Sequence, residues 1–257
     1  MEIDWDSVKK IALWHYEDLI EKMLKTLSYS FIQEHYNHNM QEANNYIRKL
    51  LGYDKKYEEF VEKLVRIFKS LENAKIKNYP DLMEKVETRE KCENFLESAK
   101  ISFKDLISLL NYVFRWVLPF RNVYLKQLID PENESHMAYI KKLKEHDIKF
   151  NLDILECCRT RRGRAKLSET AKIPEDFILD LVNRADLTRL PYMSKKTVEH
   201  LCNAGYDSVG KLAKVEAGKL REDMKSYFNK VSIRLGSFID LPGLVEWART
   251  VPKIVEK

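Results

Sequence analysis

The chain has 257 residues, of which 44% are hydrophobic and 33% are charged, and this composition predicts a globular protein with two domains. The net charge of +5 lies entirely in residues 131–257, which hold 24 basic and 19 acidic side chains, whereas residues 1–130 hold 21 of each. Any attraction to nucleic acid is therefore expected in the second half, and the lack of an uninterrupted apolar run leads us to expect a cytoplasmic protein that is neither secreted nor membrane-spanning.

Helical periodicity dominates residues 1–130. One long helix is predicted from Asp6 to about His35, and a second over residues 40–51. A third helix begins with Asp54 as its cap, and a fourth begins at Pro80. Because seven glycines and seven prolines are few for this length, we expect long helices joined by few loops.

The most apolar predicted helix follows Ser102, which together with Asp105 resembles a capping box. Pro119 cannot continue a helix without losing a backbone hydrogen bond, so we expect a kink there or a new helix over residues 119–129. Three aromatic side chains are expected at the centre of this N-terminal helical bundle: Trp116, Phe120 and Tyr124.

The polar segment 131–135 is the predicted boundary between domains 1–130 and 131–257. Beyond it, residues 139–148 repeat an apolar pattern that recurs 58 positions later, and this predicts a degenerate first copy of one helical unit. The matched residues are Ile140, Leu143, Asp147 and Ile148 in the first copy and Val198, Leu201, Gly205 and Tyr206 in the second. Like glycine, aspartate tolerates the left-handed conformation that ends a helix.

The second copy contains a tight turn between two predicted helices. The first helix follows Pro174, and the second is capped by Ser194 and stops at Gly205. The run Leu190–Val198, LPYMSKKTV, resembles the hairpin of a helix-hairpin-helix unit, with Tyr192 and Ser194 at the two usual glycine positions.

Residues 160–190 look like the linking segment of an uncharacterised family of tandem helix-hairpin-helix domains. The ending VNRADL at residues 182–187 and the tryptophan helix around Trp247 carry this likeness, which covers about residues 136–252. The resemblance implies an all-α fold, in which an N-terminal helical bundle precedes a tandem helix-hairpin-helix domain. It brings no established activity.

The hairpin residues Ser194, Lys195, Lys196 and Thr197 are the first candidate site. In typical helix-hairpin-helix units the backbone N–H groups at this helix start approach a phosphate, and cations in a first turn oppose the helix dipole unless an anion lies nearby. The alternative is that both lysines are ordinary solvated side chains. A second basic cluster could neutralise several phosphates, or its arginines could pair with acids such as Glu156 and Glu169. The members of that cluster are Arg159, Arg161, Arg162, Arg164 and Lys166.

Catalytic and metal-binding patterns are missing from the sequence. We find no Walker loop, nucleophile elbow or Gly-rich dinucleotide turn, so neither an enzyme nor a cofactor is predicted. His35 and His38 are spaced i, i+3, but no further ligands with zinc spacing follow. The four cysteines form no Cys-x-x-Cys pair, and reduced thiols are expected.

The leading hypothesis is a non-enzymatic protein that binds nucleic acid through backbone phosphates and without sequence specificity, and DNA is favoured over RNA. The N-terminal domain would then recruit a protein partner or self-associate. The alternative is a protein-interaction or scaffold module, because hairpins without glycines can keep their packing and lose the phosphate site.

Overall fold

The computed structural model describes residues 3–119, 121–232 and 240–257. Over these residues the chain is all-α, as predicted, with sixteen α-helices and no strand. It divides into two compact units, Met1–Phe120 and Arg121–Lys257, which we call the N-terminal unit and the C-terminal unit.

The N-terminal unit contains eight helices, each of which buries one apolar face. They are α1 (Ser7–Ala12), α2 (Tyr16–Leu27), α3 (Ser30–His35), α4 (Met40–Leu51), α5 (Glu58–Asn73), α6 (Tyr79–Val86), α7 (Arg89–Ala99) and α8 (Phe103–Tyr112). The predicted span of α4 is confirmed, and Asp54 caps a 3-10 turn that leads into α5. The longest helix among the described residues has 16 residues, so the expectation of long helices is wrong.

The predicted helix over residues 6–35 is three helices, α1 to α3. It breaks first at Leu13, whose φ of 63° is left-handed and whose N–H bonds back to the Lys9 carbonyl. Neither His15 nor Tyr29, which precede α2 and α3, caps its helix through a side chain. The helical spacing of apolar residues continues through both breaks because each of the three helices buries an apolar face. Such spacing alone does not show where one helix ends and the next begins.

The helix predicted to begin at Pro80 is also divided. It is α6 followed by α7, and Thr88 begins α7 by accepting a hydrogen bond from the Lys91 N–H at 3.2 Å. Threonine is a favoured N-cap, so this restart had a local signal in the sequence.

The chain does not form the predicted helix over residues 119–129. A π-helical turn, Val113–Val117, ends at Leu118, which is extended, as the residue before a proline prefers. Only a short 3-10 turn, Leu125–Gln127, follows. Trp116 is buried as expected, whereas Tyr124 is 49% exposed and belongs to the C-terminal unit. Phe120 lies outside the described residues.

The C-terminal unit contains the other eight helices. They are α9 (Glu134–Glu145), α10 (Asn151–Cys158), α11 (Arg161–Ala171), α12 (Glu175–Leu187), α13 (Lys195–Asn203), α14 (Val209–Lys214), α15 (Ala217–Lys230) and α16 (Leu241–Thr250). Helix α12 packs against α10 and α11, and α14 packs against α16. The predicted cap at Ser194 is confirmed, and Ser208 caps α14.

This unit begins at Arg121, earlier than the predicted boundary at residue 131, because the following residues bond to the start of α10. Asn151 accepts the Val123 N–H with its side chain at 2.8 Å, and its own backbone N–H donates to the Val123 carbonyl at 2.9 Å. The Leu125 N–H donates to the Lys149 carbonyl at 3.0 Å. Asn151 is fully buried, so these bonds satisfy a polar side chain inside the core.

Several helices in both units end on a residue in the left-handed conformation that is not glycine. The φ values are 61° at Lys75, 54° at Lys100, 60° at Asp147 and 53° at Lys172, and Gly205 follows α13 with a φ of 92°. The next residue donates to a carbonyl five positions back at Asp147 and Gly205, where Ile148 bonds to Leu143 and Tyr206 to Leu201. These two are Schellman-type ends. The glycine content is low because most of the left-handed helix ends are formed by other residues, and not because the helices are long.

Candidate functional site

The turn between α12 and α13 places the amino end of α13 at the surface. Tyr192 has a left-handed φ of 57° and is 58% exposed, at the first of the two positions where the hairpin pattern has glycine. Ser194 then caps α13, and its hydroxyl accepts the Thr197 N–H at 3.1 Å. The backbone therefore takes a glycine-like course with a tyrosine in place.

Two residues that the sequence analysis did not select hold this turn. The Arg121 guanidinium donates to the Met193 carbonyl at 2.8 Å, and the rings of Tyr192 and Trp247 lie 6.2 Å apart. Arg121 lies 72 positions before Met193 in the sequence, so no local pattern could have identified the contact. Trp247 had a signal, because it belongs to the family likeness.

The first turn of α13 carries two exposed cations and no acid. The side chains of Lys195 and Lys196 form no hydrogen bond or ion pair with the described residues, and Ser194 before them is also exposed. Thr197 is different, because it is 4% exposed and its hydroxyl bonds to the Ser194 hydroxyl at 2.8 Å. We therefore correct the predicted set: Thr197 supports the turn from inside and does not face a ligand.

The basic cluster at α11 is divided between the interior and the surface. Arg164 is 2% exposed, and its guanidinium donates to the carbonyls of Cys158 at 3.3 Å and Arg159 at 3.2 Å. Arg159 is half-buried and bonds to the Glu156 carbonyl at 3.0 Å. The prediction that Arg164 contacts a surface ligand is thus wrong, since burial commits it to backbone groups. Arg162 and Lys166 are exposed.

The amino end of α11 holds a carboxylate of the same chain. The Arg161 N–H donates to Glu256 Oε2 at 2.9 Å, the Arg161 Nε donates to the Lys257 carbonyl, and the Glu256 N–H donates to the Arg159 carbonyl at 2.9 Å. Free N–H groups and the helix dipole favour an anion at this place. A side-chain oxyanion from the C-terminal segment occupies it here.

Gly163 allows this end of α11 to pack closely against α10. A Cβ at Gly163 would lie 2.0 Å from the Cys157 carbonyl oxygen, and its N–H bonds to the Thr160 hydroxyl at 3.0 Å. Only glycine fits such an approach of backbone to backbone. The glycine in the arginine run therefore has a packing role.

The C-terminal segment connects the base of the hairpin with the basic cluster. Arg189, which follows α12, donates to the Pro252 carbonyl at 3.0 Å, and Glu256 lies at Arg161. Four residues of chain span at most about 14 Å. The segment from Pro252 to Glu256 therefore links the base of the hairpin to the basic cluster. A short stretch of chain thus joins the two predicted groups of site residues.

The ending of α12 and the residues that follow it contain a buried ion pair. Arg189 Nε donates to Asp186 Oδ1 at 2.7 Å, and these side chains are 0% and 8% exposed. Burial raises the pKa of the Asp186 carboxyl, and the Arg189 guanidinium lowers it in opposition. Burying such an ion pair has a high desolvation cost. The pair holds the end of α12 and the residues that lead into the hairpin in a defined position.

Arg184, in the same ending, borders a cavity of about 310 Å³ that residues from α9, α12 and α13 line. Its Nε donates to Asp180 Oδ2 at 2.8 Å, and another guanidinium nitrogen donates to the Leu128 carbonyl at 3.2 Å. Arg184 is therefore a structural tie between α12 and the segment before α9.

The two histidines of the i, i+3 pair lie in different surroundings. His35 lies 3.5 Å from a Glu34 carboxylate oxygen, whereas His38 is packed against Tyr46, with the ring centroids 5.0 Å apart. Among residues 3–119, 121–232 and 240–257, no three histidine, cysteine or acidic side chains are grouped so that they could hold a metal ion. In these same ranges no helix has the length and apolarity that a membrane crossing requires.

Residues 134–249 match a family model described as a domain of unknown function (DUF4332), which spans α9 to α16 except for the last residue of α16. No curated protein and no solved structure matches the chain. The match lies within the C-terminal unit and includes both predicted groups of site residues, but not Glu256, whose carboxylate lies at the amino end of α11.

Proposed function

We propose that this protein binds nucleic acid through backbone phosphates, without sequence specificity and without catalysis, using the amino ends of α11 and α13. The observation that carries this proposal is the Glu256 carboxylate at Arg161, because it is an oxyanion held where a phosphate would bind. A helix start that accepts one anion in this geometry is suited to another.

Helix α13 supports the same function. Lys195 and Lys196 lie in its first turn, where each cation costs about 0.3–1 kcal/mol against the helix dipole unless an anion compensates it. An approaching phosphate would remove this cost and could contact the exposed Ser194 cap. Arg162 and Lys166 on α11 would add contacts to neighbouring phosphates.

We further propose that the C-terminal unit is a tandem helix-hairpin-helix domain. Helices α9 and α10 are the first copy, and α13 and α14 are the second. In support, Asp147 and Gly205 are both left-handed, and Leu143 and Leu201, one at each helix end, are both fully buried. Superposition of the pairs α9–α10 and α13–α14 on experimentally solved helix-hairpin-helix units would test this. If α9 and α10 superpose on no such unit, the proposal is contradicted.

Binding through phosphates can be tested by its affinity, its salt dependence and its lack of sequence preference. Fluorescence anisotropy with labelled duplex DNA, single-stranded DNA and RNA, each of two unrelated sequences, should give micromolar dissociation constants at low salt. Affinity should fall steeply as salt rises, because each phosphate contact releases counterions, and it should differ little between sequences. We expect DNA to bind more tightly than RNA. No binding to any of the three at low salt would end the proposal.

A protein-interaction module is the second candidate, and Tyr192 favours it. Its side chain is 58% exposed at the point of the hairpin where backbone would otherwise approach a phosphate. An exposed aromatic residue is a frequent anchor in protein interfaces. The variant Tyr192→Gly distinguishes the two functions. If the ring obstructs a phosphate, the variant should bind nucleic acid more tightly. If the ring serves a protein partner, the affinity for nucleic acid should not change. A protein partner or self-association through the N-terminal unit, and a cytoplasmic location, remain part of the proposal.

A further inference from the structure

Two adjacent cysteines end α10, and their thiols differ in exposure. Cys157 is exposed and Cys158 is fully buried, yet their sulfur atoms lie only 3.3 Å apart. The Cys157 sulfur also lies 3.7 Å from the Ile154 carbonyl oxygen, and the Cys158 sulfur lies 3.9 Å from that of Gly163. The thiol of an exposed residue therefore has the thiol of a fully buried residue as its hydrogen-bonding neighbour.

This contact favours the ionised form of the outer thiol. A hydrogen bond with Cys158 lowers the pKa of the Cys157 thiol, although burial and the carboxylates of Asp153 and Glu156 act against the shift. The same hydrogen bond, together with burial, raises the pKa of Cys158. The S–H of Cys158 can thus donate to the Cys157 sulfur when that sulfur carries the negative charge.

The other two cysteines lie in surroundings that suppress reaction. Cys92 is fully buried, and burial raises the pKa of its thiol. Burial also raises the pKa of Cys202 to about 11. Because the thiolate is the nucleophile, reaction should be confined to Cys157 among the four cysteines.

We propose that Cys157 is a thiol-disulfide exchange site that takes up a low-molecular-weight disulfide, with the Cys158 thiol as a positioning donor. The Cys157 thiolate attacks one sulfur of the reagent, a new S–S bond forms to that sulfur, and the original S–S bond breaks. The second half of the reagent leaves as a thiolate and takes a proton from solvent. The reagent supplies the oxidation, and no other oxidant is needed.

The mixed disulfide should persist, because Cys158 is badly placed to displace it. Adjacent Cα atoms lie about 3.8 Å apart across a trans peptide, whereas disulfide-bonded cysteines usually have Cα atoms about 4.4–6.8 Å apart. Closing a ring between neighbours would distort the end of α10, where the Cys158 carbonyl accepts a bond from buried Arg164. The exchange at Cys157 does not require the proposed nucleic-acid binding.

Intact-mass and peptide mass spectrometry of the folded full-length chain, incubated with oxidised glutathione at neutral pH, test the proposal. We expect one glutathione adduct on Cys157, formed at least about tenfold faster than any adduct on Cys202, since the pKa difference outweighs the lower nucleophilicity of the more acidic thiol. Cys157→Ser should abolish the fast adduct, and Cys202→Ser should leave its rate unchanged.

Two variants of the neighbouring cysteine test its role. Cys158→Ala removes the donor and should slow adduct formation several-fold, whereas Cys158→Ser keeps a hydroxyl donor and should react close to the wild-type rate. If Cys158→Ala does not fold, a serine variant that reacts several-fold slower than wild type would still contradict the donor role. Equal rates at Cys157 and Cys202, an unchanged rate in a folded alanine variant, or loss of two hydrogens to form a Cys157–Cys158 disulfide as the main product would each overturn the proposal.

Discussion

Several helices in both units end alike, but two helices of the C-terminal unit begin differently from most helices of the N-terminal unit. In the N-terminal unit, six helices carry an acid in the first turn, and those acids are Glu17 and Asp18, Glu42, Glu58 and Glu59, Asp81, Glu90 and Asp105. In the C-terminal unit, α11 and α13 begin with paired cations and have no acid there. The first arrangement neutralises the helix dipole locally, whereas the second needs an anion from elsewhere.

Helix α11 shows one source of such an anion, namely the chain's own Glu256. At α13 the described residues supply none to Lys195 or Lys196. The comparison therefore indicates that packing alone does not explain the amino ends of α11 and α13. Four sets of variants test this difference.

Gly163→Ala should have the largest effect, because the new methyl group would meet the Cys157 carbonyl oxygen at 2.0 Å and displace the start of α11. We expect the free energy of unfolding of the C-terminal unit to fall by about 3 kcal/mol. Urea unfolding followed by circular dichroism measures it. Gly218→Ala is the matched control, since nothing lies within 4 Å of its added Cβ and α15 should gain up to about 1 kcal/mol. Equal effects of the two changes would refute the packing role of Gly163.

Reversing the charges of Lys195 and Lys196 to glutamate should weaken nucleic-acid binding by more than about tenfold at low salt and reduce the salt slope by about two. Anisotropy titrations over a range of salt measure both quantities. The matched control is Lys9→Glu with Lys10→Glu, which changes the same charge on two exposed neighbouring lysines of α1. An equal loss in both double variants would mean that only net charge matters.

Glu256→Gln should strengthen nucleic-acid binding by up to about fivefold, because a neutral amide competes less well for the Arg161 N–H than a carboxylate does. The same titrations measure this gain. Glu246→Gln removes an equal charge from α16, where Glu246 pairs with Arg249 at 2.8 Å, and serves as the control. Tail competition would be refuted if both variants gained the same affinity.

Lys75→Gly and Lys172→Gly should each raise the free energy of unfolding by about 0.5–1 kcal/mol, because glycine removes the strain of a left-handed helix end. The greater freedom of glycine in the unfolded chain offsets part of this gain. One change lies in each unit, so similar gains would confirm that the units end their helices in the same way. Glu169→Gly, inside α11, should instead destabilise by about 1 kcal/mol. Thermal unfolding distinguishes the signs.

The sequence predicted best where a local chemical signal exists. Ser194 and Asp147 were located correctly because caps and left-handed ends depend on their immediate neighbours. The break at Leu13 was missed, and the left-handed end at Lys172 was not predicted, since leucine and lysine give no sign of such an end.

The candidate site was predictable in part for the same reason. Lys195 and Lys196 are exposed as their pattern suggests, but the burial of Arg164 depends on the backbone of α10. The contacts of Arg121 and Glu256 join residues 72 and 95 positions apart, and tertiary packing alone brings them together. Charge runs in a sequence do not show which members turn inward.

The most direct test of the account is a titration of the full-length chain, labelled with nitrogen-15, with a short DNA duplex, followed through its backbone amide resonances at low salt. The account predicts that the largest shifts fall on the amides of Lys195 and Lys196 and on those of Arg161 and Arg162, with Glu256 shifting as its carboxylate is displaced. Shifts confined to the N-terminal unit, or no shifts in α11 and α13 while DNA binds, would contradict it.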